Sequence, residues 1–357
     1  MESKDAHYIE IGGRRIGPGC PTYVVAEMSA NHNQDYDQAV KILKAAKNAG
    51  ADAVKLQTYT ADTLTIDCDN EYFQIKGTLW DGRTLHGLYS EAFMPWEWQP
   101  KLKVVADELG IDLFSAPFDS TAVEFLEAMD VPAFKVASFE NVDIPLIRQM
   151  ALTGKPIIMS TGMASLSEID EAVATVRQAG GQNLALLKCS SAYPAPPEEM
   201  NLRSIKHLAE AFQVPSGLSD HTLGTAVPIA AVALGACIVE KHFTLSRDVP
   251  GPDSEFSLEP DELKHLINSV RIVEKAIGKV QFGVGEHESL SLGFRRSLFV
   301  VEDVASGGIF TSENVRSIRP GYGLHTRHID DVIGRRAAKD VQRGTPLSWD
   351  LIGGQEK

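Results

Sequence analysis

The residues best suited to chemistry lie between Pro215 and Ser254, in PSGLSDHTLGTAVPIAAVALGACIVEKHFTLSRDVPGPDS. Two short apolar runs there end in polar and ionisable residues, the first in Ser219-Asp220-His221 and the second in Glu240-Lys241-His242. Between them, Thr222 to Ala236 is a small-residue segment of helical length. A strand, a crossover helix and a second parallel strand would bring both tails to one edge of a sheet. Two histidines at equivalent strand ends are candidate ligands for a divalent metal with open positions. Taken singly, a histidine is more often structural, and Glu240 or Lys241 would serve equally in an internal salt bridge. Asp253, in the Pro-Gly-Pro-Asp turn that follows, could reach the same mouth.

The elements that must position these residues repeat along the chain. Tyr23–Ala26 is an apolar strand ending at Glu27, followed by a polar loop and a helix from about Asp35 to Ala49, with Asp35 as N-cap and Gly50 at the C-terminal stop. The same unit recurs with strands at 53–57, 111–115, 133–137, 156–160, 184–188, 217–218 and 237–239, each followed by a helical pattern, the one after 184–188 running over about 198–212. Ser165 and Glu168 form a capping box at the start of the fifth helix of the series, and Pro260 to Ile277 closes it. Eight strand-then-helix units in about 255 residues predict a (β/α)₈ barrel of α/β class. An open doubly wound sheet is the alternative, but it would place ligands at one switch point only.

In such a barrel the residues ending the strands face one mouth. Those residues are Glu27, Lys55, Gln57, Ser115, Lys135, Ser138, Ser160, Thr161, Lys188, Ser190, Ser191, Tyr193, Ser219, His221, Glu240 and His242. Three lysines and several hydroxyls on one mouth suit an anion, most simply a phosphate or carboxylate. Glu27, Glu240 and Asp253 are candidate acid–base groups. Any one strand-end lysine is often only solvated, and Ser160 or Ser219 could merely cap a helix; the weight lies in the whole set. No glycine-rich phosphate loop is present, so no nucleotide cofactor is expected.

The 357 residues, 43% hydrophobic and 23% charged, are ordinary for a globular chain. A net charge of −14 argues against nucleic-acid or membrane binding as a partner class. No run is long and apolar enough to span a bilayer, and MESKDAHYIEIGG lacks a signal-peptide core, so cytoplasmic residence is the expectation. The four cysteines form no CxxC pair. Residues 8–17 read as a hairpin turning at Gly12-Gly13, at the barrel bottom or the start of the fold. The catalytic barrel is thus expected over 1–280 and a linker over 281–293. A small β-rich domain over 294–357, with strands at 297–301 and 337–341, would carry Arg319-Pro320-Gly321-Tyr322-Gly323 as a ligand-facing loop.

At these residues the chain resembles the sialic acid synthase family, the phosphoenolpyruvate-condensing nonulosonate synthases. The resemblance runs through SANHNQ at 29–34, GADAVKLQT at 50–58, SAPF at 115–118, KVAS at 135–138 and STGMAS at 160–165. It continues in Tyr193-Pro194, GLSDHT at 217–222, EKHFT at 240–244 and GPD at 251–253, and the tail resembles the family's antifreeze-like (SAF) domain. Three features resemble its pseudaminic acid branch: MSANHNQ, the GTLWDG insertion at 77–82 with PWEW at 95–98, and the stretch from Glu240 to Glu262. The N-acetylneuraminate and legionaminate branches are the alternatives.

The resemblance implies that Lys55, Lys135, Ser138, Ser160, Ser191 and Ser219 bind phosphoenolpyruvate. It implies that His221 and His242 hold Mn²⁺ or Mg²⁺, that Tyr193, Glu240 and Gln57 contact an N-acetylated deoxyhexose, and that Glu27 and Asp253 position water or move its protons. Arg319 would reach into the partner's barrel of a domain-swapped homodimer. Two positions depart from the pattern. Ala116 lacks the hydroxyl of the threonine some members carry, and Ser191 stands where relatives can have asparagine.

Overall fold

The computed structural model describes residues 7–354, which divide into two compact units meeting at Gly278 and Lys279. The first unit opens with an antiparallel hairpin, β1 (Ile9–Ile11) and β2 (Arg14–Ile16), turned by Gly12 and Gly13 at positive φ. Its isoleucines Ile9, Ile11 and Ile16 share one apolar cluster with Tyr23 and Phe114 of the barrel strands.

Eight parallel strands then close on themselves: β3 (Tyr23–Glu27), β4 (Ala53–Thr58), β5 (Asp112–Pro117), β6 (Phe134–Val136), β7 (Ile157–Ser160), β8 (Leu184–Cys189), β9 (Ser216–Asp220) and β10 (Ile238–His242), with β10 returning to β3. The expected barrel is therefore the observed one. Sequence rules place its helices. Asp35 accepts from two amides at the start of α1 (Tyr36–Ala49), and Gly50 ends that helix in the left-handed region. After β4 come α2 (Ala61–Leu64), α3 (Leu85–Ala92) and α4 (Gln99–Leu109). Asp119 and Asp143 cap α5 (Ser120–Ala128) and α6 (Ile144–Leu152), and the Ser165–Glu168 capping box starts α7 (Leu166–Gln178). The outer ring ends with α8 (Arg203–Phe212), α9 (Ala226–Ala233) and α10 (Pro260–Ile277).

Two expectations need trimming. The crossover helix between the histidine-bearing strands covers only Ala226–Ala233, because residues 222–225 form the loop leaving β9 and Gly235 stops the helix at positive φ. The helix expected over 198–212 begins instead with a separate 3-10 turn at Pro197–Glu199.

The second unit holds one antiparallel pair, β11 (Ser297–Val300) and β12 (Val315–Ile318), and the short helix α11 (Ile329–Val332). Leu298, Val300, Phe310, Val332 and Leu347 form its core. The expected strand over 337–341 is present only as isolated bridges, Ala337↔Ile352 and Val304↔Val341. So small a core ties its loops through single rungs rather than long ladders. Glu286–Phe294, read as linker, winds into a 3-10 helix.

Candidate active site

The strand ends open on a cavity of about 380 Å³. Lys55, Gln57, Lys135, Ser138, Ser160, Tyr193, Ser219, His221, Glu240, His242 and Asp253 all line it. Glu27 and Ser191 stand one bond behind the wall: Glu27 on the Lys55 ammonium, and Ser191 donating to Ser138 Oγ at 2.9 Å. Arg319 belongs to the second unit, on an exposed loop. Lys188 does not line the cavity. Alternation along β8 turns Cys189 inward, and the Lys188 ammonium donates to the Cys189 carbonyl at 2.7 Å.

One side of the cavity is cationic. Lys55 Nζ lies 2.7 Å from Glu27 Oε2 and 3.5 Å from Glu240 Oε1. Lys135 Nζ donates to Ser160 Oγ at 2.6 Å and to the Val136 carbonyl at 2.7 Å. Burial lowers the Lys135 ammonium below its ordinary value, as expected of a charge taken from water. A bound anion would return it to full charge.

Two carboxyls share Lys55, and their surroundings push them apart. Burial, with Glu240 adding to it, drives Glu27 up to about 7 against the pull of Lys55. Burial would raise Glu240 as well, but Lys55 and Lys135 hold it below its ordinary value. Glu27 has the shorter ammonium contact, yet its side chain is 1% exposed against 7% for Glu240. The more completely dehydrated group holds the proton near neutrality. Gln57 Nε2 donates to Glu27 Oε1 and to Ser29 Oγ, each at 2.9 Å, and Ser29 Oγ donates in turn to Asp253 Oδ2. Burial raises Asp253 too.

The imidazoles of His221 and His242 stand 5.4 Å apart between ring centres. His221 Nδ1 lies 2.7 Å from the Ser190 carbonyl, which assigns a proton to Nδ1; burial lowers this imidazole, but Cys189 and the Ser190 carbonyl raise it above its ordinary value. Burial holds His242 well below the usual imidazole range, so it is neutral, and its Nδ1 is a buried atom without a partner. Asp253 Oδ2 is 3.9 Å from that nitrogen. Among the described residues no three His, Cys, Asp or Glu side chains converge on one point as a metal cage. His242, neutral with an orphaned ring nitrogen, and His221, whose Nε2 becomes a ligand once a cation displaces its proton, nevertheless fit a divalent cation that keeps its other positions for water or substrate oxygens. Tyr193 stacks on His221 with ring centres 4.2 Å apart, closing one side of the pair.

The opposite wall comes from the long excursion between β4 and α4. Leu64, Ile75, Trp80, Leu85, Leu88 and Tyr89 make it apolar. Trp80 Nε1 donates to the Pro252 carbonyl at 3.1 Å, and its ring lies 5.8 Å from that of Tyr193. The sequence singles out GTLWDG as an insertion without assigning it to the site; a tryptophan inside a Gly-bounded turn was the available signal. Glu140 is a second cavity residue that the sequence does not mark. It lines the cavity with Oε2 buried and unpartnered, and burial pushes its carboxyl up to about 7. Its position two residues beyond Ser138 is the only hint the sequence offers.

The chain is 44% identical over 325 residues to a pseudaminic acid synthase of Campylobacter jejuni, spanning 91% of this chain and 95% of that protein. It is 35% identical to an N,N'-diacetyllegionaminic acid synthase of Legionella pneumophila, over 94% of this chain and 96% of that one. The crystal structure of an N-acetylneuraminic acid synthetase from Leptospira borgpetersenii, in complex with citrate, superposes with a TM-score of 0.72 at 30% identity, covering 80% of this chain and 95% of that one. Residues 295–353 match the SAF domain. Residues 42–282 match the NeuB family, and the chain belongs to that family.

Proposed function

We propose that the protein is a pseudaminic acid synthase. It condenses phosphoenolpyruvate with 2,4-diacetamido-2,4,6-trideoxy-L-altrose and water, giving pseudaminate and phosphate in the cytoplasm. The observation that carries this reading is a single cavity joining a cationic half, Lys55 and Lys135 with their serines, to an apolar half bounded by the histidine pair. The first half suits a small dianion. The second suits a sugar with a deoxy methyl and two acetamido methyls. The closer similarity to a pseudaminic acid synthase than to a legionaminic acid synthase supports this branch.

In this reading Lys55, Lys135, Ser138, Ser160, Ser191 and Ser219 hold the phosphate and carboxylate of phosphoenolpyruvate. His221 and His242 hold Mn²⁺ or Mg²⁺, which supplies Lewis acidity to the sugar's aldehyde oxygen. Tyr193, Gln57 and Glu240 orient the open-chain sugar so that its aldehyde carbon meets C3 of phosphoenolpyruvate. Water then adds at C2, and phosphate leaves with C–O cleavage. Glu27, titrating near neutrality, and Asp253, raised by burial, can each take and return the water's proton. Arg319 of a second copy completes the sugar end in a swapped homodimer.

The test is phosphate release from phosphoenolpyruvate with each candidate sugar, before and after chelation of divalent metal. Turnover with the 2,4-diacetamido-trideoxy sugar, lost on chelation and in His221→Ala or His242→Ala, is expected. Turnover with N-acetylmannosamine alone would move the protein to another branch. Aldol cleavage or hydrolysis without phosphoenolpyruvate would place it outside the reaction altogether.

A further inference from the structure

Immediately behind the histidine pair sits an ion pair that the reaction does not use. The Asp220 and Lys241 side chains are both 0% exposed, with Lys241 Nζ 2.6 Å from Asp220 Oδ2. Strand alternation explains their place. Ser219, Glu240, His221 and His242 line the cavity; Asp220 and Lys241 do not, and lie on the other face of the barrel wall. A buried ion pair gains little over apolar side chains of the same size, since dehydrating the charges offsets their attraction. Its use is better sought in the arrangement it imposes.

The ladder between β9 and β10 runs Val239↔Leu218, Glu240↔Ser219 and Lys241↔Asp220, and stops. His242 is still held on its other side, paired with Glu27 of β3. His221 lies one residue past the last rung, where strand pairing no longer ties it to β10. Side chains take over at that point. Lys241 Nζ donates to Asp220 Oδ2 and, at 2.5 Å, to the Thr222 carbonyl. Asp220 Oδ1 accepts from the Thr222 amide at 3.0 Å, and Asp220 Oδ2 from the Thr222 hydroxyl at 3.2 Å. Both neighbours of His221 are thus bound to the residue that precedes His242.

We propose that Asp220, Thr222 and Lys241 form a clamp that sets the separation of the two imidazoles and so are positioning residues for the divalent cation. The inference rests on the reading of His221 and His242 as its ligands. The clamp touches neither the cavity nor substrate; it acts through the backbone on either side of His221.

Binding of Mn²⁺ to the full-length, chelator-treated protein tests it, followed by loss of the free ion's six-line paramagnetic resonance signal alongside thermal unfolding. The wild type should bind Mn²⁺, and His221→Ala should not. The double variant Asp220→Asn with Lys241→Met removes both charges without leaving one unpaired. It should fold yet bind Mn²⁺ about 10- to 100-fold more weakly, the range for losing a group that orients a metal ligand. Thr222→Val keeps the ion pair and should weaken binding by a smaller factor. A folded double variant with wild-type Mn²⁺ affinity would overturn the clamp while leaving the ligand reading intact. If the double variant does not fold, Thr222→Val decides, and unchanged affinity there overturns the clamp. Failure of the wild type to bind Mn²⁺, or equal binding by His221→Ala, removes the ligand reading and the clamp together.

Discussion

At the scale of single residues, the cavity is governed by what burial does to charge. Glu140 has no partner for Oε2, and its carboxyl is raised from an ordinary 4.5 to about 7. Between those values the unfolded chain has released the proton while the folded chain keeps it. The stability contributed by protonated Glu140 is therefore full below its unfolded value and is lost as pH rises through about 7. Glu140→Gln, a permanently neutral near-isostere, should match the wild type at about pH 4, below the unfolded value, and exceed it at about pH 8, by up to the order of 3 kcal/mol. Urea unfolding at the two pH values measures this, and an equal difference at both would contradict it. Lys55 presents the reverse case, a cation whose removal strands two buried carboxyls. Lys55→Met should cost about 3–5 kcal/mol of stability near neutrality, the usual penalty for breaking a buried pair from one side. A loss within the range of an ordinary surface substitution would show that water reaches Glu27 and Glu240 freely.

At the scale of elements, the excursion between β4 and α4 does what the repeating units do not. A short antiparallel turn, bridged at Gln74↔Thr84 and closed by the Ile75 amide on the Arg83 carbonyl at 2.8 Å, carries Trp80 to the cavity. Thr84 then caps α3, whose Leu85, Leu88 and Tyr89 continue the apolar wall. Trp80→Ala should raise KM for the proposed sugar, leave KM for phosphoenolpyruvate nearly unchanged, and lower the preference over N-acetylmannosamine by about 10-fold or more. Steady-state kinetics with both sugars check it; parallel rises in both KM values would mean the turn supports the whole site rather than selecting the sugar. Local chemistry explains what the sequence disclosed. Caps, glycine stops and period-2 strands are short-range signals, so the barrel, the helix starts and the inward strand ends were readable. Lys188 was misplaced because an apolar run does not reveal which alternate residues face inward. Glu140 and Trp80 stayed hidden because their roles depend on loops folding back over the mouth, which no periodicity records.

At the scale of the whole molecule, the proposed homodimer is what would join the second unit, with its own small core, to a cavity built by the first. Among the described residues no helix is long and apolar enough to cross a membrane. The exposed side chains of Val280, Phe282, Leu290 and Phe294 lie on the segment that leads from the barrel unit into the second core. Such a run of apolar surface is costly in water, and in the proposed homodimer another copy of the chain would cover it. If Arg319 completes the sugar site across that dimer, two crippled chains can repair each other. His242→Ala keeps a working Arg319 and spoils its own barrel; Arg319→Ala does the opposite. In a mixed dimer one barrel then suffers both defects, and the other has an intact histidine pair with an intact arginine from its partner. Equal amounts of the two variants, unfolded together and refolded, should recover roughly a quarter of wild-type activity, since about half the dimers are mixed and each has one working site of two. An arginine acting on its own barrel would leave both sites of the mixed dimer damaged, and activity would stay at the average of the two variants alone.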